Sequence, residues 1–201
     1  MPLGASPALV SLQNGIDSSI NLVSKIQNIG ILRVQLEMVA EMAFLRIFMA
    51  WESFLEESFI RYMAGASSPS GYTPNARSRA QNMSHALELV SSGRDYTHWN
   101  SPSEVIRRAA LYFQDGEPYR GVLEPASTEL EEMNTIRNRI THKSKYSRSQ
   151  FNAFVRRKFG HGVRGMTPGR FLLASPLRPP PNTFLDYYIE VIKIASGKIV
   201  P

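Results

Sequence analysis

One apolar stripe along residues 32–63 constrains the fold more than any other feature of this sequence. Its members recur every three or four residues, the spacing of one helix face; they are Ala40, Phe44, Ile47, Trp51, Leu55 and Tyr62. The outer face is charged, and Glu57 precedes Arg61 by four residues, a spacing that favours an ion pair on a helix. Because such a helix buries its apolar face, the sequence predicts a long core helix packed against others.

Capping residues predict further helices along the chain. Ser6 and Pro7 begin a first helix that runs to about Asn28, since serine caps helices and proline suits the first helical position. Ser101-Pro102-Ser103-Glu104 and Thr128-Glu129-Leu130-Glu131 have the pattern of capping boxes and predict two more helix starts. Other helices are expected at about 80–90, 149–159 and 167–174, and from Asn182 or Thr183 to a stop at Gly197.

The segments between these helices have turn composition. Residues 65–80 predict a mobile loop, and Pro179-Pro180-Pro181 predicts a stiff connector. No segment alternates as a strand would, so the chain is predicted to be all-α. Its 201 residues suit one domain, 1–201, with a basic insert rich in proline and glycine at about 147–181 before the last helix.

Composition excludes several classes of protein. With 43% hydrophobic and 20% charged residues the chain can build a core, and with no cysteine it has neither disulfides nor thiolate metal sites. Neither a metal nor a cofactor is expected. The most apolar stretch, 42–54, contains Arg46 and Glu52 and is too short to span a bilayer. We therefore expect a cytoplasmic protein without a membrane partner, in which the Asn82 sequon is incidental.

The positive charge of the chain is segregated. The net charge is +6, yet residues 133–185 contain no Asp or Glu and carry eleven basic side chains. The other 148 residues hold 12 basic and 17 acidic ones. An acid-free cationic tract attracts polyanions by neutralising phosphates and releasing counterions, so RNA is the expected partner.

Arg137-Asn138-Arg139-Ile140-Thr141-His142 opens this tract at the end of a predicted amphipathic helix. Residues five apart lie about 140° around a helix and about 7.5 Å along it, so Arg137 and His142 cannot grip one atom if the helix stays regular. Either the helix unwinds near Thr141 or a second copy supplies the partner side chain. Asn138 lies one turn before His142 and can orient the imidazole or bind a phosphate oxygen.

These residue types suit RNA cleavage without a metal. An imidazole with a pKa near 6.5 can take a proton from a ribose 2′-hydroxyl or deliver one to the departing 5′-oxygen. An arginine such as Arg137 stabilises the charge that grows on the phosphorus. The alternative is that His142 only complements the dipole at the C-terminal end of its helix.

The motif, together with Ala50-Trp51-Glu52-Ser53-Phe54-Leu55-Glu56, resembles the HEPN superfamily, in particular its bacterial ribonuclease-like branch. The resemblance covers about residues 9–145 and the last helix. It implies a bundle of four to five main helices, here with short accessory helices, and a homodimer with a composite metal-independent RNase site. In that site Arg137, Asn138 and His142 would be catalytic, and Glu52 would orient a motif side chain or remain a solvated glutamate.

Two functions of different classes follow. The first is a homodimeric endoribonuclease of a toxin–antitoxin or antiphage system, with an antitoxin or other regulatory protein as an expected partner. The second is a non-catalytic helical module that binds RNA or a partner protein. Candidate RNA-binding residues in either case are Arg139, Lys143, Lys145, Tyr146, Arg156, Arg157 and Lys158. The neighbouring rings of Phe151, Phe154 and Phe159 either stack on bases or belong to the core.

Overall fold

The structure is a computed structural model that describes residues 4–91, 98–176 and 182–201. Within these ranges the regular structure is helical, which confirms the all-α prediction. The described residues form two isolated β-bridges but no strand. The α-helices of these ranges are α1 (Ser6–Asn28), α2 (Arg33–Met63), α3 (Met83–Ser91), α4 (Pro102–Tyr112), α5 (Tyr119–Leu123), α6 (Ser127–Thr141), α7 (Lys145–Phe159), α8 (Pro168–Leu172) and α9 (Phe184–Ile199).

Helices α1 and α2 form an antiparallel pair around a short turn. Their ends agree closely with the predicted ones, and the whole apolar stripe of α2 is buried. Gly15 of α1 allows the close approach, because a Cβ there would lie 3.1 Å from the Cβ of Ala50. The antiparallel direction is fixed at the far end, where Arg61 donates a hydrogen bond to the carbonyl oxygen of Gly4.

The segment after α2 is better anchored than a mobile loop. It has no helix between 64 and 82, but backbone hydrogen bonds hold it at both ends. The N–H of Ala80 donates to the carbonyl oxygen of Met63, and the N–H of Gln114 donates to the carbonyl oxygen of Asn75. Phe59 of α2 lies at the centre of the core beside it, with ring centroids 4.9 Å from Phe113 and 5.0 Å from Tyr119.

The predicted capping box at Thr128 is wrong. Helix α6 begins one residue earlier, at Ser127 after Ala126, and no side chain caps it. Glu131, the acidic residue of the predicted box, is exposed, and Glu129 accepts a hydrogen bond from the hydroxyl of Tyr187 in α9. A tertiary contact with α9 therefore holds the first turn of α6, and no capping box does.

Helix α7 is longer than predicted because Ser144 caps it, its hydroxyl accepting from the N–H of Ser147. Gly160 ends the helix in the left-handed region at φ 76°, a conformation that favours glycine. The chain then turns back through 161–167 to α8. The rings of Phe151, Phe154 and Phe171 join the same core as α2, so helices from the predicted insert are part of this core.

Helices α8 and α9 begin at predicted caps. The hydroxyl of Thr167 accepts from the N–H of Arg170, and Thr183 forms a capping box with Asp186. The predicted stop at Gly197 is wrong, since α9 continues through it to Ile199. The predicted proline connector 179–181 lies outside the described residues.

Helix α8 lies directly against α2. A Cβ built on Gly169 would overlap the carbonyl oxygen of Glu37, so only glycine permits this approach. The N–H of Gly169 donates to Glu41 Oε1 at 2.8 Å, and Thr167 Oγ1 donates to Glu37 Oε2 at 2.8 Å. Two carboxylates of α2 thus hold the first turn of α8 and, with it, the preceding turn of chain.

Candidate active site

The motif lies at the C-terminal end of α6. Arg137 and Asn138 are half-buried, and Arg137 Nη1 donates to Asn138 Oδ1 at 3.0 Å. Thr141 Oγ1 donates to the carbonyl oxygen of Arg137 at 3.0 Å, which satisfies a carbonyl of the last turn. The guanidinium is therefore held in place by its neighbour on the helix.

The helix ends before His142, but within the described residues this does not join its imidazole to Arg137. Helix α6 ends at Thr141, and His142 has an extended backbone with φ −118° and ψ 114°. Its N–H donates to the carbonyl oxygen of Asn138, and its own carbonyl accepts from Ser147 Oγ and from Arg139 Nη1. The imidazole is exposed, and within the described ranges no hydrogen bond joins it to Arg137 or to any other residue.

Glu52 lies behind the motif as a partly buried carboxyl. Its Oε1 is buried and unbonded among the described residues, and so is Asn134 Oδ1, one turn before Asn138. Burial raises the pKa of Glu52 above its ordinary 4.5, while the positive charges of Arg137 and His98 act in the opposite direction. Glu52 is thus an electrostatic neighbour of Arg137 rather than a solvated helix-face glutamate.

The seven predicted RNA-binding residues differ in exposure and in pairing. Five of them are exposed: Lys143, Lys145, Tyr146, Arg156 and Arg157. Arg139 is partly buried at the end of α6. Lys158 is engaged elsewhere, because its Nζ lies 2.8 Å from Glu132 Oε2 and 5.8 Å from the centre of the Tyr187 ring.

The neighbouring phenylalanines belong to the core and not to the surface. Phe151 and Phe154 are at most 1% exposed, and Phe159 is partly buried against Phe171 and Phe184. The exposed ring of this region is Tyr146, 74% of which is accessible. The three phenylalanines are therefore core residues and cannot stack on bases. Of the aromatic residues just named, Tyr146 alone is accessible enough to do so.

A cationic groove not predicted from the sequence runs beside the motif. It has a volume of about 490 Å³, and its charged lining consists of Arg139 from α6, Arg148 and Arg156 from α7, and Arg164 from the turn before α8. Asn152 lies between the two arginines of α7. We call these five residues the arginine groove. Arg148, Asn152 and Arg156 follow one another at intervals of four along α7, inside the acid-free tract. That spacing was the signal in the sequence that could have revealed the α7 side of the groove.

Comparisons do not assign the chain to a family. No protein-family model matches it, and neither the curated proteins nor the solved structures contain a match. In the described part of the chain, no group of three or more His, Asp or Glu side chains is placed to hold a metal ion. The helices described there are also too short or too polar to cross a membrane.

Proposed function

We propose that this chain is a metal-independent endoribonuclease that acts as a homodimer and cuts RNA with Arg137, Asn138 and His142. The observation that carries the proposal is the arrangement at the end of α6. Arg137 is held by Asn138, while the exposed imidazole of His142 is unbonded within the described ranges. A phosphodiester that reaches this helix end would meet a positioned cation and an accessible proton carrier.

The reaction needs only these groups. An imidazole takes the proton of the ribose 2′-hydroxyl, and the 2′-oxygen forms a bond to phosphorus as the bond to the 5′-oxygen breaks. The imidazolium so formed, or water, returns a proton to the 5′-oxygen, while the arginine stabilises the charge on the phosphorane. The products are a 2′,3′-cyclic phosphate and a 5′-hydroxyl. Within the described residues of one chain no hydrogen bond joins Arg137 to the imidazole of His142, so we propose that a second copy supplies one of the two groups.

An exposed apolar face supports the second copy. Val34, Met38, Met42 and Met49 are 59–67% exposed and fall within about 80° of arc on α2. We call these four residues the methionine face. Glu41 and Glu52 border it on the same helix and feel the charges of Arg139 and Arg137. A chain that covers the methionine face would therefore lie beside the motif.

The test is cleavage of RNA by the purified protein in EDTA, with analysis of the product ends. His142→Ala and Arg137→Ala should each lower the rate by about 10²–10⁴, whereas His85→Ala on α3, remote in sequence from the motif, serves as the matched control. Wild-type protein that binds RNA but leaves it intact, or products with other ends, would refute the proposal.

A mixing experiment tests the composite site. If each site combines Arg137 of one chain with His142 of the other, a heterodimer of the two alanine variants keeps one intact site. An equal mixture after subunit exchange should recover about a quarter of the wild-type rate. Met42→Glu with Met49→Glu should give an inactive monomer, and an active monomer would contradict the dimer.

We also propose that the enzyme serves a toxin–antitoxin or antiphage system, where a regulatory protein such as an antitoxin restrains it. The second candidate function is a non-catalytic module that binds a partner protein. The methionine face favours it, since flexible methionine side chains adapt to different partners. RNA that is neither bound nor cut, together with an intact dimer, would favour this second function.

A further inference from the structure

The arginine groove has the chemistry of a site for a polyanion. Its four guanidinium groups are brought together from three segments, α6, α7 and the turn at 162–166. Among the ion pairs of the described residues, none involves Arg139, Arg148, Arg156 or Arg164. Guanidinium forks bind phosphate oxygens in pairs, and four unpaired cations around one concave surface repel one another until an anion enters.

The groove is extended along α7. A second depression of about 380 Å³ shares Arg148, Asn152 and Arg156 with it and reaches Lys145 at the start of the helix. Lys145 and Arg156 lie eleven residues apart, about 16 Å along the helix axis. Among the described residues, no acidic side chain lines either depression. This length suits several consecutive phosphates better than one small anion.

The groove also leads to the motif. Arg139, one of its walls, donates from Nη1 to the carbonyl oxygen of His142. Lys145, at its other end, follows His142 by three residues, and the exposed ring of Tyr146 stands next to it. A bound strand would thus pass His142, and an unpaired base could stack on Tyr146.

We propose that the arginine groove and Lys145 hold the phosphodiester backbone of single-stranded RNA, with Tyr146 stacking on one of its bases. The choice of RNA over another polyanion rests on the proposed function. Single strands are favoured over duplexes because a stacking ring needs an unpaired base. The structure thereby adds Arg148, Asn152 and Arg164 to the RNA-binding residues and removes Lys158, which pairs with Glu132.

The experiment measures binding of a fluorescent 2′-O-methyl oligouridylate of about 12 nucleotides, which lacks the 2′-hydroxyl that the proposed cleavage needs, by anisotropy at several salt concentrations. With five phosphate contacts, from the four arginines and Lys145, log K should fall with log salt with a slope of about −3.5. Arg148→Ala with Arg164→Ala should reduce the slope to about −2.1 and weaken binding about tenfold at 0.15 M salt. Arg170→Ala, which removes one such charge on α8 outside the groove, should leave the slope and the affinity close to those of the wild type.

Stacking has a different signature. Tyr146→Ala should weaken binding about fivefold or more without changing the salt slope, and Tyr146→Phe should bind as the wild type does. Circular dichroism of each variant checks that the fold is kept.

The outcomes separate this inference from the proposed function. Groove-dependent binding in a protein that never cuts RNA would support the groove and refute the nuclease. Wild-type affinity and slope in the Arg148/Arg164 variant would overturn the groove, whether or not RNA is cut. Displacement of RNA by polyglutamate at equal charge concentration would overturn the RNA assignment in favour of an acidic protein.

Discussion

Replacing Gly169 by alanine should separate α8 from α2. The added Cβ would overlap the carbonyl oxygen of Glu37 and lie 2.6 Å from its carbonyl carbon. Carbon atoms in contact prefer separations of about 3.5 Å, so α8 has to move by about 1 Å. That movement also breaks the 2.8 Å hydrogen bond from the N–H of Gly169 to Glu41 Oε1.

The cost has two parts. Overpacking of this kind destabilises by about 1–3 kcal/mol, and losing a hydrogen bond to a charged group costs about 1.5–3 kcal/mol. We therefore expect Gly169→Ala to lower the free energy of unfolding by about 3–5 kcal/mol, a large share of a total that is typically about 5–15 kcal/mol.

Urea unfolding followed by far-ultraviolet circular dichroism measures this difference. Gly197→Ala is the matched control, because Gly197 is exposed in α9 and a Cβ there meets nothing within 4 Å. That substitution should stabilise by about 0.5–1 kcal/mol, since alanine favours the helix more than glycine does. If Gly169→Ala is as stable as the wild type, and proteases cut 160–176 no faster, the close contact between α2 and α8 does not exist.

Three further predictions concern buried polar groups. Ser58→Ala should lower the free energy of unfolding by about 1–3 kcal/mol, because it leaves the hydroxyl of Tyr119, 3.0 Å away, buried and unpaired. In a double-mutant cycle, adding Tyr119→Phe should restore most of that loss. The raised pKa of Glu52 means that its ionisation opposes folding, so the wild type loses stability as pH rises through the ordinary pKa of 4.5 toward the pKa in the folded state. In urea titrations, Glu52→Gln should be as stable as the wild type near about pH 3 and more stable near about pH 8. Equal stabilities at both pH values would refute this expectation. Glu132→Ala should lower the free energy of unfolding, measured by thermal unfolding, by about 2–4 kcal/mol, because it leaves both Lys158 and the hydroxyl of Tyr188 without their partner. A loss below about 0.5 kcal/mol would contradict the observed pairing.

Local patterns predicted much of the helical framework. The ends of α1 and α2 agree with the expected ones within one residue, and Thr167 and Thr183 cap the helices assigned to them. Capping and periodicity act over a few neighbouring residues, so a single sequence carries them. The predicted capping boxes at Ser101 and Thr128 do not form, and α9 continues through the predicted stop at Gly197.

The candidate site was predicted in part. The sequence placed Arg137, Asn138 and His142 at the end of a helix, and the structure has them there, with Arg137 bonded to Asn138 and Glu52 behind, whereas the imidazole of His142 bonds to neither of them. It could not separate Lys158 from the other cations of the tract, because the pairing with Glu132 joins residues 26 positions apart.

The sequence by itself determined the helical class, the helix ends that depend on neighbouring residues, and the segregation of positive charge. Only the tertiary structure decided which cations stay unpaired around one groove and which are neutralised. The physical reason is range: helix formation depends on residues within a turn or two, whereas the surroundings of Arg148 and Arg164 depend on a glycine turn that folds α8 back against α2.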